Sequence, residues 1–158
     1  VVLVKGGKRR QDSVHNALLK IIQEQQFPEL VLVHDGARPF CSAKLIDRIL
    51  DAAYEHGAAI PVLPLMDTIR RVTEEKTEVV ERDELFAVQT PQGFLLEQLL
   101  YASMQITANK WTVTDDASMI ENAGGRITTV EGDPQNLKIT TPADLERADW
   151  ILKSTNLS

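Results

Sequence analysis

The sequence predicts an α/β fold in which a mostly parallel β-sheet is flanked by helices. Short apolar runs alternate with segments whose apolar residues recur at helical spacing, and this alternation is typical of a parallel α/β sheet. The 158 residues contain no repeat, no low-complexity tract and no linker rich in Pro, Gly or Ser. Since this length suffices for one hydrophobic core, we expect a single domain over residues 1–158.

Three apolar runs and one mixed stretch predict the strands of this sheet. They cover residues 1–4, 30–34, 58–63 and 126–130. The second run is continuously apolar, which is typical of a strand buried on both faces of a parallel sheet. Each run is bounded by Gly, Asp, Asn or Pro nearby, as strands commonly are.

Helical periodicity predicts five helices. They cover residues 12 to about 26, 43–56, 93–105, 115–122 and 142–153. Asp12 or Ser13 can cap the first helix and Ser42 the second, which should end before Gly57. Pro142 lies just inside the last helix, where its missing N–H costs nothing.

Residues 67–83 break the alternation. Two short polar strands flank a charged turn between Thr68 and Arg82, which predicts a β-hairpin. The hairpin has too few apolar residues to bury both faces, and an isolated hairpin is only marginally stable in water. We therefore expect it to project from the body as an arm that packs on a second subunit.

Composition and charge narrow the classes of function. The net charge is −6, whereas nucleic-acid surfaces are normally basic, so no nucleic-acid partner is expected. No apolar run approaches the ~20 residues of a membrane span. Cys41 is the only cysteine and cannot form an intrachain disulfide, which favours a reducing compartment such as the cytoplasm.

The polar residues after the strand at 30–34 form the first candidate site. Asp35 and Gly36 stand where ligands bind in open α/β sheets, beyond the carboxyl end of a strand. A carboxylate beside a glycine suits a divalent metal or a ribose hydroxyl. The residues fit equally well a turn in which Asp35 caps the next segment and pairs with Arg38.

Other polar segments have simpler explanations when each is taken alone. The basic turn after Gly6 and Gly7 can face an anion, but it lacks the spacing of a Walker loop, and an exposed turn capped by Ser13 is the better interpretation. Lys138, between two apolar residues, can face a phosphate or extend into solvent. For Thr90 and Thr114, helix capping is the default role. The three histidines, Cys41 and the two tryptophans are assigned no catalytic role.

Taken together, these segments resemble the 2-C-methyl-D-erythritol 4-phosphate cytidylyltransferases of the non-mevalonate isoprenoid pathway. Six motifs occur in the order of that family along nearly the whole chain. They are Gly6-Gly7 with Gln11-Asp12-Ser13-Val14, Val33-His34-Asp35-Gly36-Ala37-Arg38-Pro39, Asp67-Thr68-Ile69-Arg70-Arg71, Gln89-Thr90-Pro91-Gln92, Thr114-Asp115-Asp116-Ala117-Ser118 and Asn136-Leu137-Lys138-Ile139-Thr140. Any one motif is weakly specific, whereas six in order are a strong signal.

The resemblance implies a Rossmann-like fold and a role for each matched residue. Gly7 and Ser13 would recognise the cytosine of CTP, and Asp35 and Gly36 would lie against the ribose and the phosphates with their magnesium ion, Asp35 being the metal ligand. The residues implied to hold the phosphate of methylerythritol phosphate are Thr68, Arg82, Thr90, Thr114 and Lys138, with Arg82 and Lys138 acting catalytically. The hairpin would be the arm of a homodimer, so that Thr68 and Arg82 reach into the neighbouring site.

The chain also departs from the family pattern. Members of the family begin with a strand and a glycine-rich loop whose Arg and Lys grip the triphosphate, and these 158 residues contain no counterpart. We therefore expect the nucleotide-binding half to be incomplete at its N-terminus and the isolated chain to be inactive. Two alternatives stay open: a cytidylyltransferase for another polyol phosphate, such as ribitol 5-phosphate, and a non-catalytic fragment that only binds or dimerises.

Overall fold

The computed structural model describes residues 1–155. The helices of this part of the chain are α1 (Arg10–Gln23), α2 (Ala43–His56), α3 (Leu96–Asn109), α4 (Asp116–Asn122) and α5 (Pro142–Thr155). Its strands are β1 (Leu30–Val33), β2 (Ala58–Pro64), β3 (Ile69–Val72), β4 (Thr77–Val80), β5 (Phe86–Val88), β6 (Gln92–Leu95) and β7 (Thr128–Glu131). None of these helices is long and apolar enough to cross a membrane.

The main sheet has five strands in a mixed arrangement. Along it the order is β1, β6, β2, β5, with β7 also pairing with β2. Strands β1, β2 and β7 run in one direction, since β1 and β2 are both antiparallel to β6, and β7 is parallel to β2. The predicted α/β class is confirmed. Within this sheet β1 is hydrogen-bonded to β6, which runs antiparallel to it.

Helices cover both faces of this sheet. Adjacent residues of a strand point to opposite faces. Accordingly, Ala58 of β2 packs among Leu18, Leu99, Met119 and the other apolar residues of α1, α3 and α4, whereas Ala59 packs against α2. The α2 side of the core consists of Leu45, Ile49 and Ala53, all fully buried. The predicted end of α2 before Gly57, whose φ is 90°, is confirmed. The sequence places Ala52 on the same apolar face as Leu45 and Ile49, but Ala52 is only half-buried and Ala53 completes the buried face.

Strand β6 occupies a stretch that the sequence assigns to the start of a helix. Helical structure was expected from residue 93, but residues 92–95 pair with β1 on one side and β2 on the other, and α3 begins only at Leu96. Gly93 allows this, because a Cβ on it would lie 2.6 Å from Cγ2 of Ile49 on α2. This close approach of α2 to the sheet requires a glycine at residue 93, but a single glycine leaves no periodic pattern in the sequence from which a strand could be predicted.

The N-terminal segment differs most from expectation. Residues 1–4 form no strand, and Val1 and Leu3 are almost fully exposed. They pair with none of the described strands, and an extended segment without a partner leaves its backbone groups to water. Helix α1 begins at Arg10 rather than after Asp12 or Ser13, since Asp12 stands in its first turn and accepts a hydrogen bond from the backbone N–H of Arg9 at 3.1 Å.

The hairpin is confirmed as a separate two-stranded sheet of β3 and β4. Its register pairs Ile69 with Val80 and Val72 with Thr77. Val72 and Val79 are largely exposed, as is Met66 just before the hairpin. The arm thus presents apolar side chains that the described part of this chain does not cover.

Candidate active site

A polar cleft opens at one edge of the main sheet, where the polar loops meet. Because β6 is antiparallel to β1, the residues before β6 lie beside those after β1, and Val33 is paired with Gln92. Strand β7 runs in the same direction as β1, so the loop after it reaches the same edge. The cleft has a volume of about 210 Å³ and is lined by Arg10, Asp35, Arg38, Val88, Gln89, Thr90, Gln92, Thr114, Asp115 and Lys138.

A larger groove elsewhere is a poor candidate for phosphate chemistry. It lies beside Phe27 and Leu100 and is lined by apolar side chains together with Glu29 and Glu97. Carboxylates repel phosphates, and none of the lining residues is a cation. The polar cleft, where Arg10, Arg38 and Lys138 converge, is therefore the better candidate site for an anion.

Asp35 and Lys138 form the central ion pair of the cleft. Lys138 Nζ lies 2.9 Å from Asp35 Oδ2, and Arg38 Nε lies 3.7 Å from the same oxygen. Burial raises the pKa of Asp35, but the hydrogen bond and charge of Lys138, aided by Arg10 and Arg38, outweigh it and hold the pKa below its usual value. The carboxylate is thus ionised at neutral pH, and the Lys138 side chain remains 47% exposed.

Buried polar groups hold Asp35 in place from behind. The backbone N–H of Asp35 donates to Thr90 Oγ1 at 3.0 Å, and this hydroxyl also lies 3.1 Å from His34 Nδ1. The fully buried Asn136 donates to the Thr90 carbonyl at 2.7 Å, and Arg38 donates to the carbonyl of Asn136 at 2.8 Å. Thr90 therefore positions the Asp35 loop rather than capping a helix.

A second group of bonds sets the N-terminus of α4 at the cleft. Asp115, rather than Thr114 as expected, caps this helix by accepting from the backbone N–H of Ser118 at 3.0 Å. The buried Gln92 donates to Asp115 Oδ2 at 3.2 Å and accepts from the N–H of Ala117 at 3.1 Å. Thr114, directly before the cap, is exposed and lines the cleft.

Arg10 links this helix to α1. Its guanidinium lies 2.5 Å from Oδ2 of Asp116, whose side chain is fully buried. Burial raises the pKa of Asp116, and although Arg10 opposes the effect, the pKa stays above its usual value. A carboxylate in this position requires the arginine, because an unpaired buried charge is costly.

The structure brings four of the predicted site residues together and leaves the others apart. Asp35, Thr90, Thr114 and Lys138 line the cleft. Gly7 and Ser13 contact each other, with the Gly7 N–H donating to Ser13 Oγ at 3.0 Å, but neither lines the cleft, and the exposed Gly36 does not either. Thr68 and Arg82 also lie outside the lining residues, and the exposed Arg82 donates to the carbonyl of Met66.

Sequence reasoning missed Arg10, Gln92 and Asp115 as residues of the cleft. Arg10 stood in a basic turn whose simplest interpretation was solvent exposure, and its partner Asp116 follows about a hundred residues later. Gln92 and Asp115 fell inside quoted motifs, which were the only signal that could have found them.

The Lys138–Asp35 pair predicts a measurable shift in pKa. Lys138→Met should raise the pKa of Asp35, since the group that most lowers it is removed while burial remains. Because the folded-state pKa is depressed, the pair stabilises the fold above pH ~4 and loses its contribution as the pH falls through that pKa. Carboxyl ¹³C NMR titration of both proteins measures the shift.

Asp115 serves as the internal control for this titration. Its pKa is raised by burial and lowered, to below its usual value, by Ser118, Gln92 and Arg10 rather than by Lys138. It should titrate alike in both proteins. An unchanged Asp35 pKa in the variant would contradict the importance of the ion pair.

Comparison with known proteins identifies the family to which the chain belongs. The sequence pattern of the 2-C-methyl-D-erythritol 4-phosphate cytidylyltransferase family matches residues 1–154. The chain belongs to this family. A cytidylyltransferase of that name from Bacillus licheniformis is 44% identical over 155 residues, which are 98% of this chain and 65% of the relative. One from Bacillus cereus is 46% identical over 153 residues, or 96% of this chain and 66% of the relative.

Solved structures of the family agree with the fold. The 2-C-methyl-D-erythritol 4-phosphate cytidylyltransferase from Thermus thermophilus superposes with a TM-score of 0.88 at 40% identity, covering 97% of this chain and 74% of that one. The one from Francisella tularensis gives a TM-score of 0.83 at 36% identity, covering 92% and 69%. The chain spans just under two thirds of the length of the Bacillus relatives.

Proposed function

We propose that this protein transfers CMP from CTP to 2-C-methyl-D-erythritol 4-phosphate and releases pyrophosphate, in the route to isoprenoid precursors. The observation that carries the proposal is the ion pair between Lys138 Nζ and Asp35 Oδ2, which are 2.9 Å apart in a cleft that Thr114 also lines. These residues come from three of the family's motifs, on the loops after β1 and β7 and before α4. Under the proposal, Asp35 would serve the nucleotide, and Lys138 and Thr114 would bind the phosphate of the acceptor.

In the proposed reaction a phosphate oxygen of the acceptor attacks the α-phosphorus of CTP. A new phosphorus–oxygen bond forms, the bond from the α-phosphorus to the bridging oxygen breaks, and pyrophosphate leaves with that electron pair. Both reactants are anions, so the obstacle is charge repulsion, and catalysis consists of positioning and electrostatic stabilisation. Lys138 would hold the acceptor phosphate and Thr114 would donate to it. No side-chain nucleophile is needed.

A magnesium ion shared with the nucleotide would have one protein ligand in this cleft. Magnesium is commonly held by one or two carboxylates together with substrate phosphates and water. Asp35 supplies an ionised carboxylate, whereas no cluster of three His, Cys, Asp or Glu able to hold a metal occurs in residues 1–155. Asp35 would hold the ion together with the triphosphate, and the ion would offset charge on the leaving group.

The arm completes the site in a homodimer under this proposal. Thr68 and Arg82 lie outside the cleft of their own chain, and apolar side chains of the arm are exposed. A second copy would cover these side chains and receive Thr68 and Arg82 beside its own Lys138. Gly7, Ser13 and Gly36 would contact the nucleotide.

An assay of the full-length protein tests the proposed function. Purified protein with CTP, magnesium and 2-C-methyl-D-erythritol 4-phosphate should release pyrophosphate and yield a cytidylylated product, identified by mass spectrometry. Ribitol 5-phosphate serves as the competing acceptor. Preference for ribitol 5-phosphate would assign another polyol phosphate, and no turnover with either would favour a role limited to binding or dimerisation.

A further inference from the structure

The segment that carries Thr114 has no regular structure of its own. Residues 111–115 join α3 to α4, and no helix or strand includes them. Trp111 donates its backbone N–H to Ile106 of α3 at 3.1 Å, and Asp115 caps α4. Between these two anchors, the position of the segment depends on contacts with residues far away in the sequence.

Those contacts come from the first turn of α1. The Gln11 carboxamide donates to the carbonyl of Trp111 at 2.8 Å and accepts from the N–H of Val113 at 3.0 Å. One side chain thus binds a backbone acceptor and a backbone donor two residues apart, as a neighbouring strand would do. Arg9 adds a longer contact of 3.4 Å to the Trp111 carbonyl.

Gln11 is itself held firmly. It is 5% exposed, and both ends of its carboxamide are used, so rotation of the amide would break both bonds at once. The adjacent Arg10 pairs with Asp116 at 2.5 Å, which ties the other end of the segment to the same helical turn. A rigid helix therefore sets the segment at two points that flank Thr114.

We propose that Gln11 is a positioning residue for the acceptor half of the site: its two hydrogen bonds to Trp111 and Val113 fix the segment that places Thr114 in the cleft. The inference rests on the proposed function for the substrate that Thr114 would meet. Nucleotide recognition should be separate, because the bond from Gly7 to Ser13 and the Arg9–Asp12 bonds do not involve Gln11.

Gln11→Met tests this role, since methionine has a similar length and cannot make either bond. In the full-length protein, KM for 2-C-methyl-D-erythritol 4-phosphate should rise between about 10-fold and about 100-fold, as misplacement of a binding group typically causes. KM for CTP should change less than about 3-fold. Gln23→Met at the exposed end of the same helix is the matched control and should leave both constants unchanged.

A double-mutant cycle with Thr114→Val separates positioning from general loss of structure. If Gln11 acts through Thr114, Gln11→Met should raise KM of the acceptor much less in the Thr114→Val protein than in the wild type. Multiplicative effects would overturn the inference, as would equal effects on the two substrates. Gln11→Glu, which keeps the acceptor for Val113 but loses the donor, should be intermediate and serves if the methionine variant does not fold.

Hydrogen exchange provides a test that does not depend on turnover. The Val113 amide should exchange at least about tenfold faster in Gln11→Met than in wild type or Gln23→Met, because it loses its partner. Unchanged exchange would overturn the inference even in a protein inactive with these substrates. If the wild-type protein shows no turnover but the Val113 amide still exchanges faster in Gln11→Met, the proposed function is contradicted and the positioning role of Gln11 is not.

Discussion

Lys138→Ala should raise KM for 2-C-methyl-D-erythritol 4-phosphate far more than KM for CTP. Removal of a charge-assisted contact to phosphate costs about 1.5–3 kcal/mol, which corresponds to a rise of roughly 10-fold to 150-fold. The side chain is half-exposed in the cleft, where its ammonium can exchange Asp35 for a substrate phosphate. Steady-state kinetics with each substrate varied in turn measures both constants.

The ion pair explains why the CTP side should be spared. In the ligand-free protein Lys138 neutralises Asp35, the residue proposed to hold the magnesium ion of the nucleotide. Without Lys138, Asp35 loses a competitor for that ion but keeps the nearby charges of Arg10 and Arg38. Affinity for magnesium-bound CTP should therefore stay the same or increase slightly.

Lys153→Ala is the matched control for this prediction. Lys153 pairs with Asp149 at 2.5 Å on the surface of α5, and exposed pairs of this kind contribute little. Its removal should leave kinetics unchanged. If Lys138→Ala weakened both substrates equally, Lys138 would belong to the nucleotide side or act only on the fold.

The parts of the fold that the sequence predicted correctly are those with a periodic core pattern. Helix α2 has Leu45, Ile49 and Ala53 on one buried face and a Ser42 cap that accepts from the N–H of Leu45 at 3.3 Å, so pattern and cap agree. Strand β2 is a short apolar run in which successive residues enter the two cores. Local sequence determines both elements.

The errors arose where long-range pairing decides the structure. Strand β6 reads as a helix start because its identity depends on β1 and β2 on either side, and residues 1–4 read as a strand although no described strand pairs with them. An apolar run predicts burial, but pairing requires a partner that the run does not specify.

The candidate site was predictable only as separate motifs. Asp35, Thr90, Thr114 and Lys138 were each ambiguous alone, and the sheet edge brings them into one cleft. The functions of Gln11 and Arg10 could not be read from their neighbours, because their partners lie about a hundred residues away. A side chain whose role is to position distant residues has no characteristic spacing in the sequence, so a single sequence does not reveal that role.

Mixed dimers should show whether Arg82 acts on the neighbouring subunit. Assayed at an acceptor concentration below the wild-type KM, where a rise in KM lowers the rate in proportion, Arg82→Ala and Lys138→Ala should each be nearly inactive as homodimers. Differently tagged subunits, co-expressed and purified as the heterodimer, should recover about half of the wild-type activity, since a two-fold dimer has two equivalent sites. If the arm acts in trans, the cleft of the Arg82→Ala subunit has its own Lys138 and receives Arg82 from the partner. The cleft of the Lys138→Ala subunit lacks both cations.

The heterodimer of wild type with the Arg82→Ala/Lys138→Ala double variant gives the opposite expectation from the same number of substitutions. If the arm acts in trans, each of its sites lacks one cation, because the wild-type body receives the altered arm and the altered body the wild-type arm. It should be nearly inactive.

If Arg82 served its own cleft, this heterodimer would keep one complete site and the single-variant heterodimer would keep none. The exposed arm and the position of Arg82 outside the residues lining its own cleft favour the first pattern. The reverse pattern would contradict the proposed dimer, and inactivity of both heterodimers would contradict a site completed by one Arg82 and one Lys138.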